Sequence, residues 1–338
     1  MPRTTRPTVA LTAGLAALLL AGCTGAGGSD TGRGQGFAGA VPGPAQAGAV
    51  QSGAAPSPTP TPPPAGPYVA LGDSYTAGIR IPPLTGEPRG CSRSGANYPS
   101  LVAKELGLAA AQFHDASCSG ARTGDLTAPQ DTGDGTNPAQ LEALTPDTRL
   151  VTVGIGGNDA GFTDVVVQCA KDNLVDAVKS AVKQTRAASP CRDHYSAGDG
   201  TDEVQRKVDA VGDRLGRVLQ DIKRRSPQAR VYVIGYPTLF PADPASCLPV
   251  LGTALAGPDL GFLGEKEQQL NGMLRKRAQA AGAVFVDTAG ASAGHDMCAG
   301  EDERWIEPPF PSRGLAPIHP NARGQEAVAG VVLKALRG

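Results

Sequence analysis

Ser74 in "GDSYTAG" and His319 in "GLAPIHPNARG" are residue types that together do nucleophilic acyl chemistry. A serine hydroxyl is a weak nucleophile until a nearby imidazole takes its proton. The reaction also needs donors for the oxyanion that develops on the attacked carbonyl. Two other segments offer them: Gly120 in "ASCSGART" and Asn158 in "GIGGND". Singly, each residue has a plainer reading. Asp73 or Ser74 caps a helix, Gly120 turns a loop, Asn158 ends a strand, and a lone histidine near a terminus lies on the surface. Their joint occurrence, each just after an apolar segment or in a loop beside one, favours the chemical reading.

Rival motifs fail on their own terms. A dinucleotide loop is broken because Asp159 holds the last position of G-x-G-x-x-G, and no P-loop lysine follows. "GASAG" around Ser292 matches a nucleophile elbow, but such an elbow needs a helix after it, and "HDMCAGEDERWIEPPFP" has no helical period. His295, beside Asp296, reads either as a competing base or as a residue that shapes the edge of the pocket.

The elements that must position these residues alternate between strand and helix. "YVALGD" (Tyr68 to Asp73), "QFHDAS" (Gln112 to Ser117), "RLVTVGIGGND" (Arg149 to Asp159), "ARVYVIGYP" (Ala229 to Pro237) and "AVFVDT" (Ala283 to Thr288) read as strands. The stronger ones are continuously apolar, as strands buried on both faces are. Helices are expected from Thr201 to about Arg225, where Val204, Val208, Val211, Leu215, Val218 and Ile222 recur every three or four residues, from Leu263 to Ala281, and from Asn321 to Arg337. The segments Ile79–Arg89, Gly161–Asp199 and Pro241–Gly261 read as loops that set the width of the pocket, a width the sequence leaves undetermined. This order predicts an α/β fold, a doubly wound parallel sheet of about five strands in three α/β/α layers. Ligands of such sheets bind beyond the carboxyl ends of the strands, where Ser74 and Asn158 fall.

The blocks "GDSYTAG", "SCSGA", "GGND" and "HPNARG" resemble, in order, those of the SGNH (GDSL) hydrolases, and the likeness runs from about Tyr68 to the end. "GHDMC" and "RWI" resemble the secreted actinobacterial lipase and esterase subgroup in particular. The resemblance implies a flavodoxin-like fold and carboxylic-ester hydrolysis, with neither cofactor nor metal. It makes Ser74 the nucleophile and His319 the base, with the N–H groups of Ser74 and Gly120 and the amide of Asn158 forming the oxyanion hole. A deacetylase or acyltransferase with the same site, and a non-catalytic surface module for glycan or lipid, are the alternatives.

One feature departs from the family pattern. Its last block usually reads D-x-x-H, and here Ala316 stands where the acid would be. The expected substitute is the backbone carbonyl of Ala316, accepting from imidazole Nδ1–H; Asp296, Glu303 and Glu307 are the acids near enough in sequence to compete. Without a carboxylate, the histidine pKa should stay near or below about 6.5.

The remainder of the chain concerns location. "MPRTTRPTVALTAGLAALLLAGC" has the charge, apolar core and small-residue ending of an export signal over residues 1–22, and "LAGC" resembles a lipobox that would lipidate Cys23. Thr24 to Gly66 is mostly Gly, Ala, Ser, Pro and Thr, with too few large apolar side chains to offset its ordering entropy; it reads as a disordered spacer before a hydrolase domain at 67–338. A formal charge of -1 without a basic block gives no reason to expect nucleic acid. The expected partners are an ester substrate and, through Cys23, the membrane; the domain is expected to be a monomer. Six cysteines remain, an even number in an exported chain, which implies disulfides. Of the 15 connectivities open to six cysteines, the sequential one is expected, Cys91–Cys118, Cys169–Cys191 and Cys247–Cys298, because each bridge then staples one connection. The family resemblance implies the same pairing.

Overall fold

The computed structural model describes residues 66–338, apart from 184–187, 197–199, 253, 256 and 313. The expected signal, Cys23 and nearly all of the spacer lie outside the described residues. The strands in chain order are β1 (Tyr68–Gly72), β2 (Phe113–Asp115), β3 (Gln130–Asp131), β4 (Thr136–Asn137), β5 (Leu150–Gly154), β6 (Arg230–Ile234) and β7 (Val284–Val286). Five form one sheet in the order β2-β1-β5-β6-β7, all parallel, while β3 and β4 pair as a small antiparallel hairpin. The sheet order reverses at β1. The crevice between the ends of β1 and β5 is therefore the topological switch point, where ligands of this fold class bind.

Ten helices are described: α1 (Ser74–Ala77), α2 (Tyr98–Glu105), α3 (Gly157–Ala160), α4 (Phe162–Lys183), α5 (Pro190–Tyr195), α6 (Glu203–Arg225), α7 (Leu248–Leu251), α8 (Gly257–Ala280), α9 (Thr288–Ala291) and α10 (Ala322–Arg337). Successive strand residues point to opposite faces. Val69, Leu71, Val151, Val153, Val231 and Val233 enter a core with residues of α6 and α8. Tyr68, Ala70, Leu150, Tyr232 and Ile234 enter another with α2 and α10. This is the expected three-layer arrangement. Leu215 of α6 is fully buried, so truncating it to alanine should cost about 2–5 kcal/mol.

A third apolar cluster gathers segments that follow the strands: Phe162, Val165, Val166, Leu239, Phe240, Leu260, Phe262, Met297, Ile306 and Ile318 among others. Two disulfides belong to it, Cys169–Cys191 and Cys247–Cys298, while Cys91–Cys118 belongs to the sheet core. The pairing is the sequential one.

The elements differ from expectation at four places. Gly161–Asp199 is not a loop throughout: it carries α4 and α5. Helix α4 buries Phe162, Val165, Val166, Cys169 and Asn173 at helical spacing, but Leu174 and Val178 face outward, which blurs the pattern. Helix α8 begins at Gly257 rather than Leu263, and α7 lies inside Pro241–Gly261. Helix α2 begins at an Asn97 cap, whose side chain accepts from Ser100 N–H at 3.0 Å, followed by a proline inside the first turn. At α6, Asp202 is the cap and accepts from Gln205 N–H at 2.9 Å. Among the described residues no helix is long and apolar enough to cross a membrane.

Candidate active site

Strands β1 and β5 end side by side, with Gly72 opposite Gly154. Beyond them Asp73 N–H still reaches Gly154 O at 3.0 Å. The chain then turns at once into α1, because Asp73 caps it: its Oδ1 accepts from Tyr75 N–H at 2.9 Å. That cap delivers Ser74 to the rim of the sheet. Ser74 N–H lies in the first turn, where no intrahelical carbonyl is available to it.

Ser74 Oγ lies 2.8 Å from His319 Nε2. His319 Nδ1 lies 2.6 Å from the carbonyl oxygen of Pro317. A carbonyl only accepts, so Nδ1 carries the proton. In the neutral ring Nε2 therefore holds the lone pair and accepts from the serine hydroxyl. This corrects the expectation for Ala316, whose carbonyl is not the acceptor. The reason is the backbone: Ile318 has φ +58°, a left-handed conformation rare for a β-branched residue, and it turns the Pro317 carbonyl toward the side chain of residue 319. Two hydrogen bonds hold Ile318 there. Its N–H donates to Glu307 O at 3.0 Å, and its C=O accepts from Tyr75 Oη at 2.5 Å. The Tyr75 ring also packs on His319, with centroids 4.8 Å apart.

None of the competing acids is the acceptor for His319 Nδ1. Glu307 is buried and accepts from Asn321 Nδ2 at 2.9 Å, with Arg304 at 3.3 Å, while its own N–H donates to His319 O. It supports the histidine loop through the backbone. Asp296 accepts from Cys298 N–H. The backbone carbonyl of Glu303 meets His295 Nδ1 at 2.6 Å, and the His295 ring stacks on Trp305 at 4.1 Å. Ser292 is fully buried, and its Oγ accepts from Thr238 N–H at 2.7 Å. Neither residue lines the cleft at Ser74, so neither decoy is a nucleophile or base for it.

Asn158 sits in α3, directly after β5. Its Nδ2 donates to Ala121 O at 2.9 Å, which leaves the second N–H of the amide for another acceptor. The same contact brings the Gly120 turn alongside. Gly120 has φ +79°, the left-handed region that favours glycine. Several ties hold this turn: the Cys91–Cys118 bridge, Cys118 N–H on Gly72 O at 3.0 Å, and Gln130 Nε2 on Ser119 O at 2.9 Å. Asp159 clamps the next residues, accepting from Thr123 N–H at 2.8 Å and pairing with Arg214 at 3.2 Å.

Ser74, Asn158 and His319 line one cleft of about 450 Å³, counting space open to solvent. Its apolar wall is Phe162, Leu239, Leu270 and Ile318. Burial, with a smaller contribution from the nearby Arg80, holds the His319 pKa below its ordinary value, against the upward pull of its hydrogen bond to Pro317. The ring is therefore neutral at pH 7 and ready to accept a proton. Burial pushes Asp73 up to about 7, and Glu267 in the cleft wall up to about 8. Asp159, Tyr75 and Tyr236 support the site but were not singled out from sequence. The only signal for them is position: Asp159 ends "GGND", Tyr75 follows "GDS" and Tyr236 lies in "GYP", each after a strand.

The profile of the GDSL-like Lipase/Acylhydrolase family matches residues 70–327. The chain is 37% identical over 265 residues to Lipase 2 of Streptomyces coelicolor, an alignment covering 78% of this chain and 83% of that protein. It is 32% identical over 255 residues to an esterase of Streptomyces scabiei, covering 70% and 73% respectively. Among solved structures, phospholipase A1 from Streptomyces albidoflavus matches with a TM-score of 0.63 at 28% identity, covering 80% of this chain and 99% of that one. The extracellular lipase of Streptomyces rimosus matches at 0.62, again at 28% identity, covering 80% and 100%. A parallel sheet with a serine at its rim, matched along most of its length by lipases and an esterase, places this chain in the GDSL-like lipase and acylhydrolase family, as a lipase/esterase of that family.

Proposed function

We propose that this lipase/esterase cleaves its ester through an acyl-enzyme on Ser74, with His319 as the base. The observation that carries the proposal is the 2.8 Å contact of Ser74 Oγ with His319 Nε2, behind which Nδ1 is held on a carbonyl. Nε2 takes the hydroxyl proton as Oγ attacks the ester carbon. The oxyanion accepts from the N–H groups of Ser74 and Gly120 and from the free N–H of Asn158. Collapse expels the alcohol, which receives the proton from Nε2. Water, deprotonated by the same nitrogen, then frees the acid and restores Ser74. The pair acts as a dyad: the Pro317 carbonyl fixes the tautomer, though it stabilises the imidazolium less than a carboxylate would.

The apolar wall of the cleft suits an acyl chain, and relatives bear the names lipase and phospholipase. We extend the proposal to a lipid ester met outside the cytoplasm. Residues 1–22 direct export, Cys23 carries the lipid anchor, and residues 24–66 link it to a monomeric hydrolase domain, 67–338. The sequence pattern and the name of the Streptomyces rimosus extracellular lipase support export.

Hydrolysis of p-nitrophenyl esters from acetyl to palmitoyl tests the chemistry. Ser74→Ala and His319→Ala should each lower turnover by on the order of 10⁴–10⁶ while the protein stays folded. The acidic limb of kcat/KM should lie below about pH 6.5. Turnover that survives Ser74→Ala would refute the proposal, and an acidic limb well above pH 7 would point to a hidden carboxylate. Labelling with tritiated palmitate, lost in Cys23→Ala, tests the anchor.

A further inference from the structure

Tyr236 follows β6 by two residues, in "GYP". It is buried, and its backbone is held on both sides by one side chain of α8: Asn271 Oδ1 accepts from Tyr236 N–H at 2.8 Å, and Asn271 Nδ2 donates to Tyr236 O at 2.9 Å. Its ring meets Tyr75 edge to face, centroids 5.1 Å apart. So fixed, it presents its hydroxyl to two loops at once. The oxygen accepts from Gly157 N–H at 2.8 Å, and the O–H donates to Asp73 Oδ2 at 2.5 Å. The directions are forced, because a backbone N–H only donates and the tyrosine proton is then left for the carboxylate.

Asp73 immediately precedes Ser74, and Gly157 immediately precedes Asn158. The β1–β5 ladder ends at Gly72 and Gly154, with one further bond from Asp73 N–H. Beyond that point the Tyr236 hydroxyl ties the two loops together again. The fit is close. A Cβ on Gly157 would lie 3.1 Å from the hydroxyl oxygen and 3.1 Å from the ring carbon that bears it, tighter than such contacts normally are. Glycine at 157 is therefore what lets the tyrosine in.

We infer that Tyr236 is a positioning residue for ester hydrolysis, a strut whose hydroxyl sets Ser74 and Asn158 at the separation the tetrahedral intermediate requires. The inference rests on the proposed role of Asn158 as an oxyanion donor. A donor displaced by an ångström costs on the order of 10² in rate, and the two groups approach from different strands.

A double-mutant cycle with the full chain and p-nitrophenyl butyrate tests it. Tyr236→Phe keeps the ring and removes only the hydroxyl. Its kcat should fall about 10–100-fold, with KM within about twofold. Against Asn158→Ala the same change should cost at least about fivefold less, since the donor it positions is gone. Gly157→Ala, which wedges a methyl group against the ring and leaves the hydroxyl in place, should reproduce the fall in kcat even if Tyr236→Phe folds poorly. An unchanged kcat in Tyr236→Phe or Gly157→Ala overturns the strut, as does an equal factor in both backgrounds. The two ideas separate cleanly: full activity in Asn158→Ala sinks the oxyanion assignment, whereas a crippled Asn158→Ala with additive effects sinks only the strut.

Discussion

The proposed nucleophile and its proposed base are held by two differently built parts of the molecule. Ser74 and Asn158 stand on a parallel sheet whose alternate residues fill two apolar cores, one on each face. His319 and most of the cleft wall belong to the segments beyond the strands, where Phe162, Leu239, Met297, Ile306 and Ile318 form a smaller core carrying two of the three disulfides. The sheet is over-determined by repetition: each strand repeats the ladder of its neighbour. The cap depends on particular pairings, such as Glu307 N–H on His319 O and Tyr75 Oη on Ile318 O. A donor on the sheet side can therefore be removed without disturbing its surroundings, whereas loosening the cap should move the histidine.

Asn158→Ala probes the sheet side and should have the largest effect on turnover of the three changes considered next. Removing one oxyanion donor costs on the order of 10²–10³ in kcat, and the unfolding midpoint should stay close to that of the wild type. A large drop in stability would mean that Asn158 is chiefly a tie to Ala121 and would break the comparison. Next, removing the cap bridge with Cys169→Ser and Cys191→Ser should cost about 3 kcal/mol by urea unfolding. It should also lower kcat/KM more than the matched change at Cys247 and Cys298. Equal losses would show that α4 and α5 do not set the cleft more than the rest of the cap does.

The smallest effect concerns pH. Glu267 in the cleft wall keeps its proton in the folded state up to about 8, against an ordinary value of 4.5, chiefly because of burial. Between those values the folded state binds more protons than the unfolded one, so this contribution is full below about 4.5 and is lost as pH rises through 8. Asp73 acts with the same sign up to about 7. Glu267→Gln has no proton to release, so its unfolding midpoint should exceed that of the wild type by a few degrees at pH 9, with a smaller gap at pH 5. Parallel stability curves would show that Glu267 is not buried as described.

The same contrast explains what was legible in the sequence. Strands β1, β5 and β6 announce themselves because a strand buried on both faces is nearly continuous in apolar residues, and α6 does because its apolar residues recur at helical spacing. Ser74, Gly120, Asn158 and His319 stand out in the sequence because each lies in a short local block. Helix α4 does not: Leu174, Val175 and Val178 face outward, so its periodicity is diluted along half its length. The acceptor for Nδ1 was missed by one residue, because a positive φ at isoleucine leaves no trace in residue type. Tyr236 was hidden for another reason. Its partners Asp73 and Gly157 are far away in the chain, and only the fold brings them to one hydroxyl.

The Pro317 carbonyl has a consequence for how this enzyme tolerates substitution. In a triad built with aspartate, one codon change removes the third member. Here that member is a main-chain atom present whatever side chain stands at 317, so an alanine scan would pass over it in silence. Its vulnerability lies instead at the neighbour that aims it. Ile318 holds a conformation costing on the order of 1–3 kcal/mol, secured by Tyr75 and Glu307. Substitution is thus less telling at position 317 itself than at the residues that keep its peptide unit turned.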